Sequence, residues 1–374
     1  MTKILIFDKG GRKERERLIK KNKAPKDFFQ GIDFLRSKGF DIKHLSSSIK
    51  YKKNIIYFFG GFLEKIFCRI SNFGIRPFSV NQHKKTINNS DIVISLTDGF
   101  SMSLGFFYTF LDAKNKIKLV GAFHKLSDYN TKVPKLLKKF YHKLILKILK
   151  RLNFIIFYGD ADRDNSIKKF NLRKEETFLI KFGVDTIFWK PNNKNNFSSD
   201  YLFSIGQDPA RDFDTLLKVK TNRKIHIHTS LLKIRNDNKY VITNGTYHKN
   251  KNSLTDLEVR QLYQESFAVI VPLKNVYQPS GYSVTLQAMA CGKPVILSNT
   301  KGLWAPKLFK NRKNCILVNP GSEKEIEYAI QTLENDKKTY EYICNEARKT
   351  VEKHFSLENS NLSTLEIFET IVKS

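Results

Sequence analysis

The sequence predicts an α/β protein of two domains, each built on a parallel sheet wrapped by helices. Three observations carry that expectation. The chain has 374 residues, too many for one ordinary core and a suitable length for two. Short apolar runs alternate with helical patterns along most of it, as they do where strands are joined by crossover helices. Near the middle, KPNNKNNFSSD at 190–200 breaks the alternation with a polar, asparagine-rich linker, after which the alternation restarts.

In the first half, strands are expected at 3–7, 92–96, 117–123 and 154–158. Between the first two, Phe28, Phe29, Ile32 and Leu35 fall at helical spacing, and this helix should stop at Gly39 in a left-handed C-cap. From 135 to 152, Leu136, Leu137, Phe140, Leu144, Ile145, Ile148, Leu149 and Leu152 form one apolar stripe. Lysines and Arg151 surround that stripe, with no acid among them. Such a helix either faces a core with a solvated basic side or lies on an anionic membrane, and both can hold together. In the second half, strands are expected at 201–205, 225–228, 240–243, 268–273, 294–297 and 315–318. Ser253 with Asp256, and Ser322 with Glu325, read as capping pairs that start helices. No internal repeat of solenoid length and no low-complexity tract is visible.

Hydrophobic residues make up 41% and aromatics 13%, enough to fill real cores. Lysine and arginine number 66 against 36 acids, a formal net charge of +30. The surplus is uneven, because residues 1–190 hold 40 of the basic and only 17 of the acidic side chains. An anionic partner is expected for the first half, either nucleic acid or a membrane surface, unless the charges are simply solvated. The chain has no basic-aromatic recognition motif, so nucleic acid is not the expected partner. Cys68, Cys291, Cys315 and Cys344 are scattered without metal or disulfide spacing, which suits free thiols in a reducing cytoplasm. The N-terminal apolar run is too short for a secretory signal, and no stretch approaches the roughly 18 apolar residues of a membrane span.

QPSGYSVTLQAMACGKP at 278–294 carries the clearest chemistry. It follows the expected strand 268–273, passes through a loop at 274–282 and enters a helix at 283–291 whose first turn is small and polar. A helix N-terminus offers outward amides and positive dipole to an anion, and Gly281 would let a ligand approach the backbone. Ala288, Ala290 and Gly292 keep the other face thin for packing. The arrangement suits a diphosphate.

Here the chain resembles the retaining glycosyltransferases of family 4, whose GT-B architecture has two facing Rossmann-like domains. LQAMACGKPVILSNTKGL and NCILVNPGSEKEIEYAI are similar to that family's donor-site signature and the strand and helix after it. GGR at 10–12, the strand ending at His124, FGVDTIFWKP at 182–191 and YLFSIGQDPARDFDTLLK at 201–218 extend the match, in order, over almost the whole chain. The resemblance implies an acceptor domain at 1–189, a donor domain at 201–355 and a final helix, 356–374, that packs back on the first domain. It implies transfer from a nucleotide-diphosphate sugar to a glycan, lipid-linked or polysaccharide-precursor acceptor in the cleft between the domains. Anomeric configuration would be retained, and neither cofactor nor metal would be needed. It places a diphosphate-facing loop at Gly10 and Gly11, a histidine near sugar or acceptor at His124, and the diphosphate itself at Arg211 and the amides from Gly281 through Tyr282, Ser283 and Val284 to Thr285.

The chain departs from the family pattern at both usual glutamates. The second, at the ribose, is Gln287, and the first falls on Pro279 or, shifted by one, on Gln278. A glutamine still hydrogen-bonds a hydroxyl, but without charge assistance. The family's basic pair is reduced as well, with Gln207 after Gly206 and Arg211 alone near the lysine position. An ion pair with Asp212 or Asp214 at the surface is the alternative role for Arg211. These losses keep open a second function, a nucleotide-sugar-binding protein altered in catalysis. His226 and His228 share one strand face without a third metal ligand nearby. Asp160, Asp162 and Asp164 lack the glycine and distant glutamate of a calcium loop, so a helix N-terminus is expected there. The expected location is the cytoplasm, with peripheral contact at the inner face of the membrane.

Overall fold

A computed structural model describes residues 2–9, 12–27, 31–47, 55–71, 74–129, 133–192, 196–243 and 254–374. The chain divides into two compact units, one of Met1–Glu14, Gly31–Ile180 and Asn361–Ser374, the other of Arg15–Gln30 and Lys181–Ser360. The inclusion of Arg15–Gln30 in the second unit has no counterpart in the sequence patterning.

In chain order the first unit runs β1 (Lys3–Lys9), α1 (Arg12–Lys20, ending in the second unit), α2 (Ile32–Ser37), β2 (Asp41–Ser47), α3 (Ile55–Ser71), α4 (Pro77–Gln82), α5 (Lys84–Asn88) and β3 (Ile92–Ser95). It continues through α6 (Asp98–Phe110), β4 (Lys118–Phe123), α7 (Lys138–Lys150), β5 (Phe154–Phe157), α8 (Asp160–Phe170) and β6 (Thr177–Leu179). The sheet order is β2-β1-β3-β4-β5-β6, all parallel. Alternation along each strand sends Leu5, Phe7, Val93 and Leu119 to one core and Ile4, Ile6, Ile94 and Val120 to another on the opposite face. The second of those cores also takes Ile367, Phe368 and Ile371 from the C-terminal helix. With both faces covered, the inner strands must read as continuous apolar runs. Gly39 has φ of +91°, the left-handed stop expected after α2, whereas Phe28 and Phe29 lie outside the described residues.

The second unit carries β7 (Tyr201–Ile205), α9 (Phe213–Leu216), β8 (Lys224–His228), β9 (Arg235–Asn236), β10 (Tyr240–Thr243), α10 (Asp256–Glu265) and β11 (Val269–Val271). After these come α11 (Tyr282–Ala290), β12 (Val295–Ser298), β13 (Ile316–Val318), α12 (Glu323–Asn335) and α13 (Lys337–His354), and then α14 (Leu357–Lys373), which belongs to the first unit from Asn361 onward. Its sheet order is β13-β12-β11-β7-β8-β10-β9, parallel except for β9 against β10.

Three sequence expectations need correction. The stripe from 135 to 152 is not all core: Tyr141, Ile145, Ile148 and Leu149 are buried, but Leu136, in a short 3₁₀ turn at Lys135–Leu137, is 92% exposed and Phe140, in the first turn of α7, is 70% exposed. Ser253 lies outside the described residues, and the cap of α10 is Thr255, whose side chain exchanges bonds with Glu258 in a capping box. Ser322 does cap α12 by accepting from the Glu325 amide, although the Glu325 carboxylate turns to Asn319 instead.

Strand order reverses at β1/β3 in the first sheet and at β7/β11 in the second. In open α/β sheets ligands bind outside the carboxyl ends of the strands at such reversals. The loops after β7 and β11, and those after β1 and β3, are therefore the places to look.

Candidate functional site

In the second unit the loops after β7 and β11 are fastened to each other. The Asp212 amide donates to Pro272 O (3.0 Å), the Lys274 amide to Ala210 O (2.9 Å), and Arg211 bridges Leu273 across them. Asp208 ties the same loops through its side chain, accepting from Gln278 Nε2 and from Ser280 Oγ (3.1 Å). Gln278 is thus a donor to a neighbouring carboxylate.

Arg211 is 5% exposed, an interior rather than a surface position. Asp212 caps α9, accepting from the Thr215 amide. The Arg211 guanidinium covers the Gly206 backbone so closely that any β-carbon there would collide with Nε. It also reaches the start of α11, where a β-carbon on Gly281 would lie 3.4 Å from Nη1. No side chain caps that helix end. A fixed cation and the positive end of a helix dipole therefore meet in one loop cluster, an electrostatic arrangement that favours an anion.

The structure adds to the role expected of Gly281. Its φ is +80°, and a β-carbon would stand 2.7 Å from Val271 Cγ1, so the fold itself already requires a glycine here. Val284 and Thr285 point their side chains into the core, and the Thr285 amide already donates to Gly281 O (3.0 Å). The amides that a helix of this kind turns outward are those of Tyr282, Ser283 and Val284. Tyr282 packs its ring on Phe182 with centroids 4.5 Å apart.

Gln287 is not placed to grip a ribose. It is 1% exposed, and its Nε2 donates to Asp27 Oδ2 (2.9 Å). Asp27 also accepts from Trp189 Nε1 (2.7 Å) and the Asp185 amide (2.6 Å). Burial pushes the Asp27 carboxyl up to about 6 against the pull of these donors. Gln287 thus anchors Asp27 to the 185–189 segment, and this position is occupied by the protein's own carboxylate.

In the first unit His124 follows β4 and is partly exposed, with side-chain accessibility of 28%. Its Nδ1 lies 3.3 Å from Asp98 Oδ2, which also accepts from the His124 amide (3.1 Å), while Oδ1 accepts from the Lys125 amide (3.2 Å). The ring stacks on Tyr158, centroids 4.2 Å apart. Burial alone would raise the Asp98 carboxyl, but the His124 hydrogen bond and charge hold it below its usual value. Asp98 opens α6 just beyond β3, at the reversal of strand order, and was not singled out in the sequence. The one available signal was an aspartate between an apolar strand and a helix. Gly10 and Gly11 lie outside the described residues.

The remaining candidates have local partners. His228 Nδ1 pairs with Thr243 Oγ1 (2.8 Å) and His226 stacks on Tyr201. Asp160 and Asp164 flank Arg163 at the start of α8, and Asp162 turns inward to accept from the Ser127 amide (2.7 Å). Among the described residues no group of three histidine, cysteine or carboxylate side chains could hold a metal ion.

The family model "Glycosyl transferases group 1" matches residues 239–350, which run from β10 through the uncapped N-terminus of α11 into α13. This segment of the chain is similar to the group 1 glycosyltransferases. An uncharacterized glycosyltransferase of Methanocaldococcus jannaschii is 32% identical over 111 residues, 30% of this chain. The match spans about a quarter (27%) of that relative's length. Among solved structures, Anabaena HepE in complex with UDP-glucose superposes with a TM-score of 0.65 at 15% identity, over 99% of this chain and 100% of that one. Sucrose-phosphate synthase from Thermosynechococcus elongatus gives 0.69 at 13% identity, over the full length of both. The two doubly wound sheets with their C-terminal helices are the GT-B fold.

Proposed function

We propose that the protein is a retaining, metal-independent glycosyltransferase that moves a hexose from a UDP-sugar to a glycan, lipid-linked or polysaccharide-precursor acceptor at the inner face of the membrane. The observation that carries this proposal is Arg211, buried against the N-terminus of α11 within the switch-point loops of the second sheet. A diphosphate on the amides of Tyr282, Ser283 and Val284 gains hydrogen bonds, helix dipole and a fixed cation. The same groups stabilise the charge that develops as the sugar's anomeric bond breaks and UDP departs. The choice of uridine and hexose follows the UDP-glucose complex of the Anabaena relative.

The second unit holds the donor in this account, and the basic first unit holds the acceptor. His124, fixed by Asp98 and Tyr158, supplies a hydrogen-bonding ring to the sugar or acceptor. The lysines around α7 contact anionic lipid. The resemblance implies a diphosphate-facing loop at Gly10 and Gly11.

A second reading, a nucleotide-sugar-binding protein without transfer, is favoured by Gln278 and Gln287, both engaged by aspartates of the protein itself. Incubating the protein with UDP-glucose and a lipid-linked saccharide extract separates the two. Transfer is expected to give the α-anomer of product, and His124→Ala to lower turnover more than UDP affinity. UDP binding with no product from any acceptor fraction would support the second reading.

A further inference from the structure

We infer that α3 is a membrane-inserting element, lying flat in the interface of an anionic bilayer with Phe62, Leu63 and Ile66 among the acyl chains. The helix has 17 residues, and at about 100° per residue Phe59, Phe62, Leu63 and Ile66 fall within one narrow arc. These side chains are exposed, at 60, 59, 61 and 44%. Aqueous burial does not account for an apolar arc turned outward on a helix that long.

The orientation is imposed from the other side of the helix. Gly60 sits under the Phe78 ring, so that a β-carbon there would come 2.8 Å from its carbons. One turn on, Glu64 is buried and its Oε1 accepts from the Phe78 amide (2.6 Å) in the first turn of α4. A glycine contact and a buried carboxylate bond thus fix the inner face. The phenylalanine face is held outward by construction.

Charge selects the occupant. Between Asp41 and Asp91 the sequence has nine lysines and arginines and a single acid, Glu64. That acid is spent internally, so no acidic side chain of this segment is left to repel a negative surface, while Lys65 and Arg69 flank the exposed arc. A second copy of the chain would bring the same positive charge against it. An anionic bilayer offers hydrocarbon for the arc and headgroups for the cations. Leu136, Leu137 and Phe140, exposed beside the lysines at the start of α7, have the same composition. The inference rests on the membrane reading of the basic first half, not on the transfer chemistry.

The test uses the full chain with vesicles of phosphatidylglycerol mixed with phosphatidylcholine, and of phosphatidylcholine alone. Phe62→Trp places a reporter on the exposed arc, distinguishable because both native tryptophans, Trp189 and Trp304, are buried. Its emission should shift to the blue on the anionic vesicles and be quenched by brominated acyl chains. The triple variant Phe62→Ser, Leu63→Ser, Ile66→Ser should bind these vesicles at least about tenfold more weakly while unfolding at the wild-type temperature. Triple-variant binding equal to wild type, with an unquenched reporter, would overturn the role of α3 and leave the electrostatic reading standing. No binding of wild type to either vesicle would remove the membrane reading altogether. A triple variant that dissociates a wild-type dimer, with vesicle binding unchanged, would give the face to a second copy instead.

Discussion

Replacing Gly281 with valine strains the fold before any ligand is considered. The residue sits at φ of +80°, which a β-branched side chain does not tolerate, and the new carbon would meet Val271 at 2.7 Å. Strain and overpacking together should cost about 2 to 4 kcal/mol. Thermal unfolding of ligand-free protein should show the loss, and an unchanged midpoint would return this glycine to a purely ligand-facing role. Asp27 gives a second test at this scale, read through pH. Its folded-state pKa is raised from 3.8 to about 6, so its contribution to stability is fully present below the lower value and is lost as pH rises through the upper. The stability of the wild type relative to Asp27→Asn should therefore fall by about 1 to 2 kcal/mol between pH 5 and pH 8 in denaturant titrations. A gap independent of pH would mean that Asp27 titrates as an ordinary carboxylate. Asp27 was invisible in the sequence because its partner Gln287 is 260 positions away. Asp208, tied to Gln278 across 70 positions, was hidden for the same reason.

Helix α7 shows how an element divides its surface. Ile145, Ile148 and Leu149 dock it on the first sheet's core, and that part of the stripe was legible because burial repeats at helical spacing. The exposed turn at Leu136 and Leu137 was not legible, since periodicity alone does not say where a core ends. Replacing Lys139, Lys143 and Lys147 with glutamine should leave unfolding unchanged. It should weaken binding to anionic vesicles at low ionic strength, with the difference vanishing as salt screens the charges. Equal co-sedimentation of wild type and variant at low salt would contradict the contact. The edge strands of the first sheet escaped the sequence for a related reason. β2, DIKHLSS, has only one sheet neighbour and mixes polar with apolar residues, whereas the inner strand β3, IVIS, is buried throughout.

At the scale of the whole molecule, two open sheets reverse their strand order, and the candidate groups fall at those reversals. Asp98 follows β3 and His124 follows the adjacent β4 in the first sheet, while Asp208, Arg211 and Gly281 belong to the loops after β7 and β11 in the second. The α/β alternation made both sheets legible, because buried parallel strands read as apolar runs. The ordered motifs made the resemblance to the group 1 glycosyltransferases legible. What the motifs did not show is which side chains around α11 turn inward: Gln287, Val284, Thr285 and Arg211 are all buried. The central claim is that Arg211 and the start of α11 hold a nucleotide diphosphate. Isothermal titration of UDP into wild type and Arg211→Met tests it most directly, since methionine keeps the buried length and removes the charge. Loss of a charge-assisted contact worth roughly 1.5 to 3 kcal/mol should weaken UDP binding about tenfold to a hundredfold with little change in unfolding temperature. Equal affinity of the two proteins for UDP would contradict the account.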